Sequence, residues 1–230
     1  MPGNPNTFPS IEGLGSFYDE YAAGLFQNFA YSLQLIPCNT TSSAQYSLAR
    51  NCQDCSNAYK EWLCAVTIPR CDDFSDSTNI WTKPRNVGQA FFTNQTMLPD
   101  SYLQQPFVPM PSAPGGSAAF QQTYSSTFAT NRSRVGRIDD TVMPGPYREL
   151  LPCEDLCYSL MQSCPAALDF RCPFPGRGLE TSYNKRMASG LTCSYLGAYY
   201  SANDGPSLAG LSAALAVGLL TTTASLWFAW

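Results

Sequence analysis

The sequence contains no histidine. That absence excludes the Ser-His-Asp and Cys-His relays, in which an imidazole moves the proton, and it excludes mixed Cys/His zinc sites. Charge is also sparse: 13% of residues are charged and the net charge is −4. Nucleic-acid binding needs clustered Lys and Arg to neutralise phosphates. The one local group, Arg132, Arg134 and Arg137, is followed at once by Asp139 and Asp140 and reads as a solvated charged loop, so no nucleic-acid partner is expected. Repeats of fixed period are absent. The opening residues Met1-Pro2-Gly3-Asn4-Pro5-Asn6 have neither the basic region nor the apolar core of a signal peptide. Residues 1–11 are therefore expected to be a disordered N-terminal segment of a longer chain.

Against those absences stand ten cysteines in 230 residues. An oxidised framework of disulfides is the expected state, with an all-thiolate zinc site using Cys52, Cys55 and two further cysteines as the alternative. Three N-glycosylation sequons, at Asn39, Asn94 and Asn131, favour oxidation, because they have meaning only in a chain that enters the secretory pathway. No cofactor, metal or catalytic residue is expected, since cysteines consumed in bridges are not free as nucleophiles.

Long apolar runs are missing except at one end. Leu208 to Trp230 carries no charge and is long enough, at ~1.5 Å rise per residue, to cross a ~30 Å hydrocarbon core. Nothing basic follows it. The small residues Ser201-Ala202-Asn203-Asp204-Gly205 before it resemble a lipid-anchor attachment signal, with Asn203 as the attachment residue. Residues 201–230 are thus expected to be either a removable anchor signal or a retained transmembrane tail helix, placing the protein on the extracellular face of the plasma membrane.

Between the ends, Leu14, Tyr18, Tyr21, Leu25, Phe29 and Ser32 recur every three or four residues and predict an amphipathic helix over 12–36. Cys55, Tyr59, Trp62 and Val66 predict a second helix over 52–66, stopped by Pro69. Cys153, Cys157 and Cys164 share one face of a third, beginning after Pro152 and broken at Pro165. From Cys71 to Cys153 there is no cysteine, and the Gln-, Pro- and Ser-rich stretch within that span reads as a flexible insertion, about 72–152, serving as a spacer or a partner-binding loop.

The spacings Cys55-x8-Cys64-x6-Cys71 and Cys153-x3-Cys157-x6-Cys164-x7-Cys172-x20-Cys193, in the contexts EWLCAVTIPRC and LPCEDLCYSLMQSC, resemble the two halves of the frizzled-type cysteine-rich domain. Over roughly Phe17 to Cys193 the chain more closely resembles the fungal stretch-activated calcium-channel regulatory component, the mating-induced-death family, through SLQLIPCNTTSSAQYSLARNCQDCSNAYKEWLCAVTIPRCDDF. The resemblance implies a mainly α, small, five-bridge cysteine-rich domain over 12–200, interrupted by the long irregular insertion. It also implies an extracytoplasmic regulatory subunit that binds the pore-forming subunit of a voltage-gated-type calcium channel. If the frizzled-type connectivity carries over, Cys38 pairs with Cys71, Cys52 with Cys64, Cys55 with Cys164, Cys153 with Cys193 and Cys157 with Cys172. Spacing alone does not select it, since ten cysteines allow roughly 900 full pairings.

Two other functions fit part of the pattern. One is a frizzled-like receptor gripping a lipid or sterol in an apolar groove. The other is a surface glycosidase, whose two carboxylates would come from Asp72/Asp73 and Glu154/Asp155. Adjacent acids usually mark surface or helix-start positions, and Glu154 and Asp155 suit the first turn of a helix, so no enzyme is expected.

Overall fold

Helix α1, Ile11–Gln34, starts where Ser10 accepts a hydrogen bond from the Gly13 amide at 3.1 Å. Its inward stripe carries Leu14, Phe17, Tyr18, Tyr21, Leu25, Phe26, Phe29 and Leu33, with Tyr18 and Phe29 buried. Helix α2, Cys52–Thr67, opens on a reciprocal cap. Asn51 Oδ1 accepts from the Gln53 and Asp54 amides at 2.8 and 3.0 Å, and Asp54 accepts from the Asn51 amide at 2.9 Å. This satisfies donors that a helix start otherwise leaves orphaned. Helix α4, Glu154–Ser163, is flanked by Cys153 and Cys164, so of the three cysteines expected to share its face only Cys157 lies within it. Among the described residues there are also two single-turn α-helices, α3 at Asp100–Leu103 and α5 at Leu179–Ser182, one π-type turn, Ile138–Val142, and one 3-10 turn, Ala166–Leu168.

The computed structural model describes residues 6–36, 47, 49–76, 79–103, 131–188 and 190–197. All of them except Gly197 belong to one compact unit, Met1–Leu196; a second unit, Gly197–Trp230, is described only at Gly197. Cys38, Asn39, Asn203 and the expected tail helix lie outside the described residues, as does 104–130. Among the described residues no helix is long and apolar enough to cross a membrane.

Three short strands correct the mainly helical expectation. β1, Arg70–Asp72, β2, Thr82–Arg85, and β3, Tyr147–Leu150, form an antiparallel sheet in the order β1-β3-β2. The described residues of the 72–152 span are not an irregular insertion, because they supply all of β2 and β3 and the buried residues Val87, Ile138, Val142, Tyr147 and Leu150. Ile138 and Val142 pack with Tyr18 in a cluster that ties α1 to this span. Burial of such side chains, at about 1.5–3 kcal/mol each, is what makes the span part of the core.

The five-bridge framework is corrected as well. Among the described residues the bridges are Cys55–Cys164, Cys153–Cys193 and Cys157–Cys172. Cys52 is also disulfide-bonded, whereas Cys64 and Cys71 are thiols, so neither Cys52–Cys64 nor Cys38–Cys71 forms. An all-thiolate zinc site at Cys52 and Cys55 is excluded because both sulfurs are already in disulfides. Each of the three bridges sits in its own buried cluster, and the Trp62 ring packs against all three clusters. The Trp62 indole N–H donates to the Tyr183 hydroxyl at 2.9 Å, which meets the polar requirement of a large ring placed in a core.

Candidate functional site: a cleft over a buried ion triad

The sheet brings one carboxylate beneath two guanidiniums. Glu149, central on β3, is fully buried. Its register neighbour on β1 is Cys71, and Arg85 on β2, opposite Tyr147, lies diagonal to it. Diagonal neighbours are within reach of long side chains, and Arg85 Nε donates to Glu149 Oε2 at 2.9 Å. Arg134 approaches from the loop before the π turn and donates from Nε to Glu149 Oε1 at 2.7 Å, with a second contact from its terminal nitrogen.

Both arginines also bind backbone carbonyls, Arg85 that of Thr181 at 3.3 Å and Arg134 that of Val66 at 3.4 Å. The triad therefore joins α2, β2, β3, α5 and the 131–137 loop. Burial pushes the Glu149 carboxyl up, but Arg134 and Arg85 outweigh it and hold the group below the ordinary glutamate value. The reciprocal holds for Arg134, where desolvation is overcome by Glu149.

This arrangement corrects the reading of Arg132, Arg134, Arg137, Asp139 and Asp140 as a solvated loop. Arg134 is in the triad; Arg137 lies over the Phe17 and Tyr21 rings, 5.1 and 4.8 Å from their centroids. Asp139 accepts from the Ser133 amide at 3.1 and 3.2 Å. The Ser133 hydroxyl in turn accepts from Tyr147 at 2.9 Å and lies 3.3 Å from Asn86 Oδ1. Arg132, Arg137 and Asp140 remain exposed, whereas Arg134 and Asp139 are partly buried.

Above the triad opens a cleft of about 1170 Å³. One wall is aromatic and aliphatic, with Tyr21 and Leu25 from α1 and Tyr59, Trp62 and Val66 from α2; Tyr183 and Pro173 face from the C-terminal part of the unit. Its charged lining comprises Arg85, Arg132, Arg134 and Arg171 against Asp139 and Asp140. Asn131 also lines it, and its Oδ1 has no hydrogen-bond partner among the described residues. Sequence reasoning missed Arg85 and Glu149 entirely. The one available signal was an acid set in the apolar run Leu150-Leu151 before Pro152.

The remaining expected site residues fall elsewhere. Asn94 is exposed in a tight turn where its side-chain oxygen accepts from the Thr96 amide and hydroxyl at 3.0 and 2.7 Å. The candidate acids are absorbed locally. Asp73 accepts from the Ser75 amide at 2.8 Å, Asp155 pairs with Arg186 at 2.9 Å, and Glu154 stands in the first turn of α4.

For Cys71, burial first and Glu149 second raise the thiol pKa, and for Cys64 burial and then Asp19 do so, partly offset by Lys60. Thiolate is the reactive form, so both thiols should be sluggish. In the unreduced native protein at pH 8, iodoacetamide is expected to modify Cys71 at least about tenfold more slowly than free cysteine, with Cys64 intermediate. Peptide mass mapping with time checks this; rapid labelling of Cys71 would contradict the burial argument.

Fold and cleft together define a disulfide-braced α+β module with a mixed aromatic and cationic cleft and, among the described residues, no cluster of three or more metal-ligating side chains. The family model for the Mid1 stretch-activated Ca2+-permeable channel component matches residues 1–199, and the chain belongs to that family. It is 40% identical over 185 residues to stretch-activated cation channel yam8 of Schizosaccharomyces pombe, a match covering 80% of this chain and 29% of that protein. Stretch-activated cation channel MID1 of Saccharomyces cerevisiae is 31% identical over 191 residues, covering 80% and 26%. MID1 of Cryptococcus neoformans is 23% identical over 168 residues, covering 73% and 21%. The chain thus spans less than a third of the length of these relatives. No solved structure matches it.

Proposed function

We propose that the chain is the cysteine-rich part of an ancillary, non-enzymatic subunit of a fungal stretch-activated calcium channel, acting by binding a pore-forming subunit of the voltage-gated type. The family match over residues 1–199 carries this reading, since the relatives are named as stretch-activated cation channels. The structure supports it in one respect: three bridges and a buried ion triad make a rigid scaffold around an open cleft. A bound subunit changes gating only by binding the channel's states with different affinity, and a stiff platform transmits such a difference without dissipating it in its own loops.

In this reading the protein passes through the secretory pathway to the outer face of the plasma membrane, carries glycans at Asn39, Asn94 and Asn131, and is held there by its C-terminal segment. That segment is either a lipid anchor attached at Asn203 or a retained membrane helix. Affinity purification of the full-length protein from solubilised membranes, coupled to calcium-uptake measurements in a deletion strain, is the test. Recovery of a large pore-forming subunit and reduced uptake are expected; a purification without any channel subunit, together with unchanged uptake, would refute the proposal.

A further inference from the structure

We infer that the cleft is a carbohydrate site filled by this chain's own glycan, the N-acetylglucosamine core attached at Asn131 lying against the aromatic wall of α1 and α2. This rests on the passage through the secretory pathway included in the reading above and specifies where one of the glycans is held.

Attachment sets the position. All three sequon residues, Asn131, Arg132 and Ser133, line the cleft. Asn131 is half-buried, and its Oδ1 is buried without a hydrogen-bond partner among the described residues. A sugar on this side chain therefore starts inside the cleft. Transfer forms a bond from Asn131 Nδ2 to the anomeric carbon of N-acetylglucosamine and breaks that carbon's bond to a lipid-linked diphosphate, which leaves as the amide gives up a proton. Ser133 is buried and its hydroxyl accepts from Tyr147 at 2.9 Å, so transfer precedes closure of the fold over the sequon. The cleft, at about 1170 Å³, exceeds the upper end of ordinary ligand pockets, about 1,000 Å³, and has room for more than one sugar ring.

The lining suits a neutral polyol. Arg85, Arg134, Arg132 and Arg171 are matched by Glu149, Asp139, Asp140 and Asp169, so an ion entering the cleft gains no net field. A hydroxyl-rich chain gains from both signs. The exposed guanidiniums of Arg132 and Arg171 can donate to its oxygens, and the exposed Asp140 carboxylate can accept from its hydroxyls. Sugar rings also present polarised C–H groups, which pack on the electron-rich faces of aromatic rings. The rings of the wall are held in advance. Tyr59 stacks on Phe29 with centroids 3.8 Å apart, the Trp62 indole is fixed by its bond to Tyr183, and Arg137 lies over Tyr21 at 4.8 Å. Docking a sugar there costs little ordering entropy. Tethering supplies the rest, since a covalently linked ligand meets its site at an effective concentration of about millimolar, which populates contacts too weak to hold a free sugar.

The experiment uses the full-length protein purified in detergent and an endoglycosidase that cuts between the two core N-acetylglucosamines, with release at each site followed by glycopeptide mass mapping. The glycan on Asn94, exposed in its turn, is the internal standard. Release at Asn131 is expected to be at least about tenfold slower than at Asn94 in the folded protein, and equal to it after denaturation, because cleavage waits for the docked form to open. Asp140→Ala with Arg171→Ala, both on the exposed rim, should speed release at Asn131 severalfold and leave Asn94 unchanged. Hydroxyl-radical footprinting should label Tyr21, Tyr59 and Trp62 at least about twofold faster in Asn131→Gln than in the wild type, since a docked ligand covers most of the surface it contacts. Tyr31, exposed on α1 outside the cleft lining, should be labelled equally in both. Equal release at the two sites in the folded protein, ring labelling that does not change in Asn131→Gln, or an Asn131 without a glycan while Asn94 carries one, would each overturn the inference and leave the secretory reading intact. A wild type glycosylated at neither site removes that reading and the inference together. If the wild type recovers no channel subunit, only the subunit reading falls.

Discussion

Glu149→Gln is expected to lower the unfolding free energy by about 3–5 kcal/mol, the range found when one member of a buried ion pair is removed. The substitution keeps the shape of the side chain but removes the carboxylate that Arg85 and Arg134, 3% and 14% exposed, share. Replacing both arginines by methionine in the Glu149→Gln background should recover much of the loss, because an apolar cluster of similar volume carries no desolvated charge. The pH dependence follows from the lowered Glu149 value. A carboxyl held lower in the folded state than in the unfolded state binds fewer protons when folded. Its stabilisation is therefore complete above the unfolded value and is lost as pH falls from there through the folded value. Denaturant unfolding from pH 7 down into the acid range should show the wild type losing its advantage over Glu149→Gln below the ordinary glutamate value; a constant gap across that range would contradict the triad's role.

The second large effect is expected at Cys55–Cys164. This bridge joins α2 to the end of α4 with a sequence separation of 109, and both cysteines pack in the cluster with Phe29 and Leu160. In the chain-entropy account, a link closing about 100 residues stabilises by about 4.7 kcal/mol and one closing about 15 residues by about 3. Cys55→Ala/Cys164→Ala should therefore cost more than Cys157→Ala/Cys172→Ala, whose separation is 15. Guanidinium unfolding of the two double variants measures the order; a reversed order would place the stabilisation in local packing instead of loop closure. Channel recovery should fall with the Cys55–Cys164 variant, since that bridge ties the cleft's α2 wall to the C-terminal half of the unit.

The legible parts of this protein were those governed by local rules. The period of Leu14, Tyr18, Leu25 and Phe29 predicts α1 to within two residues at either end, and the recurrence of Cys55, Tyr59, Trp62 and Val66 with the block at Pro69 predicts α2. The cysteine contexts were distinctive enough to carry the family, which the match over residues 1–199 bears out. The strands were not legible. β1 and β2 are three and four residues long, read RCD and TKPR, and show no apolar alternation. Pro84 argues against a central strand, and β2 is indeed an edge strand, where a missing N–H is tolerated.

What the sequence by itself determined is the covalent and local framework: the helices, their stops, the exclusion of histidine chemistry, and the family to which the cysteine pattern belongs. Only the tertiary structure decided which cysteines remain thiols and which charges matter. Glu149 lies 64 residues from Arg85 and 15 from Arg134, and apart from the apolar Leu150-Leu151 after Glu149 nothing in the sequence sets the three apart from ordinary surface charges. The physical reason is desolvation. An arginine in a charged run becomes a buried ion only when distant elements close over it, and that closure is a property of packing between β2, β3 and α2 that no local pattern encodes.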